Sequence, residues 1–172
     1  NGLQVSRRGA RRPERLGLGG WIYDFWVEFC ATHQVGAAQM RIAVSPEEGE
    51  PLEVRVDPTQ LHQVLSNLCE NALTHGRRPE GPTEPVEIRY GRLASNGRPF
   101  VEVIDQGPGI ARADLERVFE PFFTRAPRGT GLGLFLAREL ASSNGATLLH
   151  ESPPGGGSLF RLVFSDPGRW EE

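Results

Sequence analysis

The 172-residue chain contains no lysine; all 19 basic residues are arginine. That absence removes whole classes of chemistry. A Walker A phosphate loop needs its Gly-Lys-Ser/Thr, a Ser/Thr/Tyr-type protein kinase its strand lysine, and a pyridoxal enzyme its Schiff-base lysine. Any phosphate binding would have to rest on backbone amides, arginines and a metal. Cysteine is nearly as scarce. Cys30 and Cys69 lie far apart, each in an apolar helical context, and read as small core residues in a reducing compartment. Four scattered histidines and no C-x-x-C leave no zinc pattern. No stretch approaches the roughly 18 apolar residues of a spanning helix, and no signal peptide is visible. The start, Asn1-Gly2-Leu3-Gln4-Val5, reads as the interior of a longer polypeptide, so the chain is compatible with the soluble part of a membrane protein. Neither sign of charge is in large excess (net −3), so the bulk balance gives no argument for nucleic acid.

What is present suits one domain with a real core: 38% apolar and 24% charged residues. Arg7, Arg8, Arg11, Arg12 and Arg15 crowd the N-terminus. Such a run can be an arm for nucleic acid or lipid; we read it as a solvated linker. Residues 1–20 read as the end of a preceding helix plus that linker, giving a lead-in over 1–19, a domain over 20–166 and a tail over 167–172.

The patterning is α/β. Trp21, Ile22, Phe25, Trp26, Phe29 and Cys30 predict a core-facing helix over 21–34. Residues 39–44 and 52–56 read as strands joined by a turn at Ser45-Pro46-Glu47-Glu48-Gly49. Asp57-Pro58 opens a helix, as N-cap and first helical residue. Leu61, Val64, Leu65, Leu68, Cys69 and Ala72 follow an unbroken helical stripe, and Gly76 ends it. Residues 86–92 and 99–104 form a hairpin around Ser95-Asn96-Gly97-Arg98. Residues 105–128 are irregular but for a short helix near 112–118. A helix over 130–144 is closed by Asn144-Gly145, and strands over 146–151 and 158–164 follow.

Three segments carry chemistry. Gly129-Thr130-Gly131-Leu132-Gly133-Leu134 opens a helix, and a glycine-rich turn with free amides at a helix N-terminus makes an anion site. Asn67, Asn71 and Thr74 share one face of the 58–75 helix, at the border of its apolar stripe. Carboxamide oxygens there suit Mg²⁺, which takes oxygen ligands beside substrate phosphates. Asp105 ends an alternating strand and starts Asp105-Gln106-Gly107-Pro108-Gly109-Ile110. A buried carboxylate there can accept from an exocyclic amine, and Gly107 and Gly109 let backbone pass close to a flat ring. Taken singly, each has a plain reading: a tight turn, two surface asparagines, an Asp-Gly turn. Phe119-Glu120-Pro121-Phe122-Phe123-Thr124 reads either as a lid that docks on ligand or as a satellite core cluster. Arg125 and Arg128 beyond it are either phosphate ligands or solvated charges. The three segments together form a nucleotide site.

In this order, Asn67-Leu68-Cys69-Glu70-Asn71-Ala72, Asp105-Gln106-Gly107-Pro108-Gly109, Phe119-Glu120-Pro121-Phe122-Phe123 and Gly129-Thr130-Gly131-Leu132-Gly133-Leu134 closely resemble sensor histidine kinases. They match the asparagine, first glycine, phenylalanine and second glycine boxes of the catalytic ATP-binding domain, in the Bergerat (GHKL) fold. The resemblance covers about residues 20–165, and the short lid is similar to the nitrogen-regulation and pilus-regulation sensor branch. It implies an α+β, two-layer sandwich: a mixed, mostly antiparallel sheet on about three helices, with an ATP lid. It implies Asn71 as the main Mg²⁺ ligand with Asn67 assisting, and Asp105 on the adenine amino group. Gly107, Gly109, Ile110, Phe119 and Phe123 shape the nucleotide pocket. Gly129, Thr130, Gly131, Leu132 and Gly133 offer amides to phosphate. Thr74 and His75 stand where the family often has Lys or Arg and Tyr, and Ala126 where it often has Lys. The usual cations are therefore missing, and Arg125 or Arg128 is left to replace the lid cation.

Related ATPases carry a glutamate at position 67 to activate water. An amide is no general base at neutral pH, so phosphoryl transfer to a histidine fits better than hydrolysis. None of His33, His62, His75 and His150 lies in a His-Glu-x-x-x-Pro-like helix, so the acceptor is expected on a separate dimerisation domain. The resemblance further implies a response regulator as partner, a homodimeric full-length protein and no nucleic acid. It implies a cytoplasmic location beneath an inner-membrane sensor. Two other readings are a GHKL ATPase or serine kinase, and a nucleotide-binding module without activity.

Overall fold

The structure is a computed structural model that describes residues 12–44, 51–76, 84–123 and 131–165. Helices α1 (Leu18–His33), α2 (Pro58–His75) and α3 (Gly133–Ser143) pack on a five-stranded sheet. Its strands are β2 (Met40–Val44), β4 (Val86–Arg92), β5 (Pro99–Asp105), β6 (Thr147–Glu151) and β7 (Ser158–Val163), in the order β2-β4-β5-β7-β6. β2 and β4 run parallel, and the other neighbours antiparallel. This is the expected α+β layering of a mixed, mostly antiparallel sheet under helices.

α2 forms as its sequence dictates. The Asp57 carboxylate accepts from the amides of Thr59 (2.9 Å) and Gln60 (3.2 Å), Pro58 occupies the first turn, and Gly76 is the C-cap. All six residues of its predicted stripe are buried. The Asp57 amide donates to Asn144 Oδ1 (2.9 Å), so the end of α3 is tied to the start of α2. α1 begins at Leu18, ahead of the predicted 21, because Leu18 continues the buried series of Ile22, Phe25 and Phe29.

Other expectations shift. Glu14–Gly17, read as lead-in, is a strand (β1) that pairs antiparallel with β3 (Glu53–Val56). Leu16 is its one large apolar residue, so local pattern gave no signal; Val54 and Val56 opposite supply the buried side. The neighbouring strands β2 and β3 do not pair with each other but join different sheets. The turn expected between them lies outside the described residues. The short helix near 112–118 is a 3₁₀ turn, Arg112–Asp114, followed by irregular turns. α3 starts at Gly133 rather than 130.

Along β5, Val101 and Val103 face the helices while Glu102 faces away. There the arginines build a charge ladder across the sheet. Arg89 bridges Glu87 (2.7 Å) and Glu102 (3.2 Å), and Arg161 bridges Glu102 and Glu151 (2.7 Å each). Arg41 joins at Glu87 (3.1 Å). A planar guanidinium spans two carboxylates in a way an ammonium does not.

Candidate nucleotide-binding site

One face of α2, the loop after β5, the start of α3 and β7 enclose a cavity of about 690 Å³. That volume suits a nucleotide-sized ligand. α2 contributes Asn67, Glu70, Asn71, Thr74 and His75. The loop wall is Asp105, Pro108, Gly109, Ile110, Ala111 and Asp114, with Val118 and Phe123 beyond. Gly131, Gly133 and Leu134 close it at α3, and Ser158 comes from β7.

The cavity has two chemically different ends. At one, the C-terminus of α2 meets the end of β5. A Cβ on Gly76 would come within 2.7 Å of Asp105 Cβ, so only glycine allows the approach. Asp105 is 3% exposed and accepts from the Gly107 amide (3.0 Å). Burial pushes its carboxyl above the ordinary value, and the Gly107 bond opposes this. Partial burial pushes the His75 imidazole below its ordinary value, towards the neutral form. The other end lies nine residues back along α2, about 13 Å at helical rise. There Asn67 Nδ2 donates to the Gly133 carbonyl (2.9 Å), and Gln63 Nε2 donates to Asn67 Oδ1 (2.7 Å). The first-turn amides of α3 have no intrahelical acceptor, and the side chain of the N-cap residue, Leu132, makes no capping bond. Between the ends, the Asn71 carboxamide faces the cavity and makes no hydrogen bond within the described residues.

Of the residues singled out from sequence, Asn67, Asn71, Thr74, His75, Asp105, Gly109, Ile110, Phe123, Gly131 and Gly133 line this cavity. Gly107, Phe119 and Leu132 do not. Gly107 packs against the end of α2, where a Cβ would meet His75 O at 2.6 Å, so it shapes the pocket from behind. Phe119 stands edge-on to Phe160 (5.8 Å) with the Arg138 guanidinium over its face (5.0 Å), the core-cluster reading of that segment. Leu132 is the N-cap of α3. Arg125, Arg128, Gly129 and Thr130 lie outside the described residues. Sequence reasoning missed Glu70, Asp114 and Ser158. Glu70 was legible, one turn from Asn67; Ser158 enters by pairing with Asp105 across the sheet, which no local pattern shows.

The donors beside the α3 end are hard oxygens: the Asn67 and Asn71 amides and the Glu70 carboxylate. They fit Mg²⁺ in type. Among the described residues, no group of three or more His, Cys, Asp or Glu could hold a metal ion.

A cleft on one helical layer, with a buried carboxylate at one end and the start of a helix at the other, is the arrangement of a Bergerat-type nucleotide-binding domain. The model of the histidine kinase-, DNA gyrase B- and HSP90-like ATPases matches residues 56–168, and the chain belongs to that family. It is 38% identical over 167 residues to the sensor protein kinase PilS of Pseudomonas aeruginosa, covering 97% of this chain and 31% of PilS. It is 33% identical over 145 residues to the sensor-like histidine kinase SenX3 of Mycolicibacterium smegmatis, covering 81% of this chain and 36% of SenX3. The chain thus spans about a third of the length of these relatives. The solved catalytic domain of histidine kinase ThkA superposes with a TM-score of 0.71 at 26% identity, covering 89% of this chain and 95% of that one.

Proposed function

We propose that this chain is the ATP-binding catalytic domain of a two-component sensor histidine kinase. It would transfer the γ-phosphoryl group of ATP to a histidine on a separate dimerisation domain, which passes it to a response regulator. The observation that carries this reading is the meeting of Asn67, Asn71 and Asp105 in one cavity that ends at the start of α3. Asp105 would accept from the adenine amino group, with Gly109, Ile110 and Phe123 against the ring. The α3 amides, with Gly131 and Gly133, would hold the phosphates at the positive end of the helix dipole. Asn71 would ligate Mg²⁺ and Asn67 assist it; the ion would supply charge neutralisation on the phosphates. Arg125 and Arg128 remain candidates for contacting phosphate from the lid.

The amide at Asn67 favours transfer over hydrolysis, because it supplies no general base for water. That separates this reading from the gyrase-like and HSP90-like ATPases. The four histidines have other surroundings: His33 stacks on Phe29, His62 meets Phe25 edge-on, His150 bonds Ser158 and His75 lines the cavity. The acceptor histidine would then be supplied by a dimerisation domain, in a homodimeric cytoplasmic assembly beneath a membrane sensor. No helix among the described residues is long and apolar enough to cross a membrane.

Incubation with γ-labelled ATP and Mg²⁺ tests the assignment. The chain alone should acquire no acid-labile phosphate, and a dimerisation domain added as a second polypeptide should become labelled. Asn71→Ala should abolish that labelling without lowering the melting temperature by more than a few degrees. Label on the chain itself, or full labelling by the variant, contradicts the assignment.

A further inference from the structure

We propose that Glu70 makes the cavity discriminate metal-loaded from metal-free nucleotide, with His33 holding its carboxylate in place. This rests on the ATP reading above and assigns a specificity role within it.

The cavity presents an electrostatic problem. Its described lining holds the Glu70 and Asp105 carboxyls and no arginine; the chain has no lysine to offer. Its imidazole, His75, is pushed by partial burial towards the neutral form. ATP without a metal carries about four negative charges, so such walls disfavour it by plain Coulomb repulsion. A divalent cation on the phosphates reverses the sign of the nearest interaction.

Glu70 is placed to make that distinction. It follows Asn67 by three residues and immediately precedes Asn71, so it stands at the phosphate and metal end of the cavity. Asp105 lies at the opposite end, beside Gly76. A carboxylate next to two carboxamides attracts a cation directly or through its water shell, and repels bare phosphate oxygens. Specificity is the difference between these two interactions.

His33, the last residue of α1, fixes the carboxylate from behind. Its ring stacks on Phe29 with centroids 3.9 Å apart, and its Nδ1 lies 3.1 Å from the Phe29 carbonyl. The stacking fixes the ring, and Nε2, 3.2 Å from Glu70 Oε2, donates to that carboxylate in the tautomer that carries its proton there. Glu70 itself is half exposed at 53% of its side chain, so glutamine replaces it without burying an unpaired group.

Calorimetric titration of the full 172-residue chain with ATP, in excess Mg²⁺ and in EDTA, tests this. The unaltered chain should bind metal-free ATP at least tenfold more weakly than Mg²⁺-ATP. Glu70→Gln should tighten metal-free binding by roughly three- to tenfold and so narrow that ratio. His33→Ala should narrow it less, and adding it to Glu70→Gln should change nothing further, the signature of one shared path. An unchanged ratio in Glu70→Gln, with both forms binding, overturns the role of Glu70. Full additivity of the two substitutions overturns the role of His33. If neither form of ATP binds the unaltered chain, the nucleotide reading itself fails.

Discussion

Asp105 ends a strand in which every residue is buried, and its own carboxyl is held against the C-terminus of α2 with one amide for a partner. Burial raises its proton affinity above that of the unfolded chain. Between the ordinary carboxylate range and this raised value the native state holds more protons than the unfolded state. Stability therefore falls as pH rises through that window, and stays lowered above it. On the proposed reading, the same buried acceptor is what an adenine amino group would satisfy. Asp105→Asn should raise the melting temperature of the ligand-free domain at neutral pH, with a gain that shrinks as pH drops through the window. It should also reduce the preference for ATP over GTP. Melting curves against pH, with paired titrations of the two nucleotides, check both; an unchanged preference removes Asp105 from base recognition.

At the scale of elements, α2 was legible almost whole. Its cap, its stripe and its stop are consecutive residues acting within a few turns of each other, so sequence order and physical neighbourhood coincide. Asp57→Ala removes the acceptor for Thr59, Gln60 and also the Arg12 amide (2.7 Å). The loss should cost about 1–2 kcal/mol, read as a lower urea midpoint with unchanged slope. β1 was not legible, because a four-residue strand with one large apolar residue exists only through β3, about 40 residues away. Phe119 and Phe123 show the same limit within one segment. Four residues apart in an irregular loop, one packs on Phe160 in the core and the other lines the cavity; composition does not separate them. The asparagines of α2 and the glycines after β5 were readable because the chemistry they permit is local.

Across the whole molecule, the absence of lysine finds a use away from the cavity. Arg89 and Arg161 converge on Glu102, which is 3% exposed, and the ladder continues to the edge strands through Arg41 and Glu151. This fastens the far face of the sheet whose near face carries Asp105. Glu102→Ala leaves two guanidiniums facing each other over a buried gap and should cost roughly 2–3 kcal/mol, measured by denaturant unfolding. A loss under about 0.5 kcal/mol would mean that the ladder is solvated charge and nothing more.

The central claim, that the cavity between α2 and the start of α3 takes Mg²⁺-ATP, is tested most directly by thermal unfolding with and without the nucleotide. At about a hundred times the dissociation constant, binding to the native state alone contributes about 2.7 kcal/mol, a rise of roughly 5–10 °C for a domain of this size. The account predicts that rise for ATP with Mg²⁺, and a smaller one for ATP in EDTA. A melting curve that does not move at millimolar Mg²⁺-ATP would contradict it.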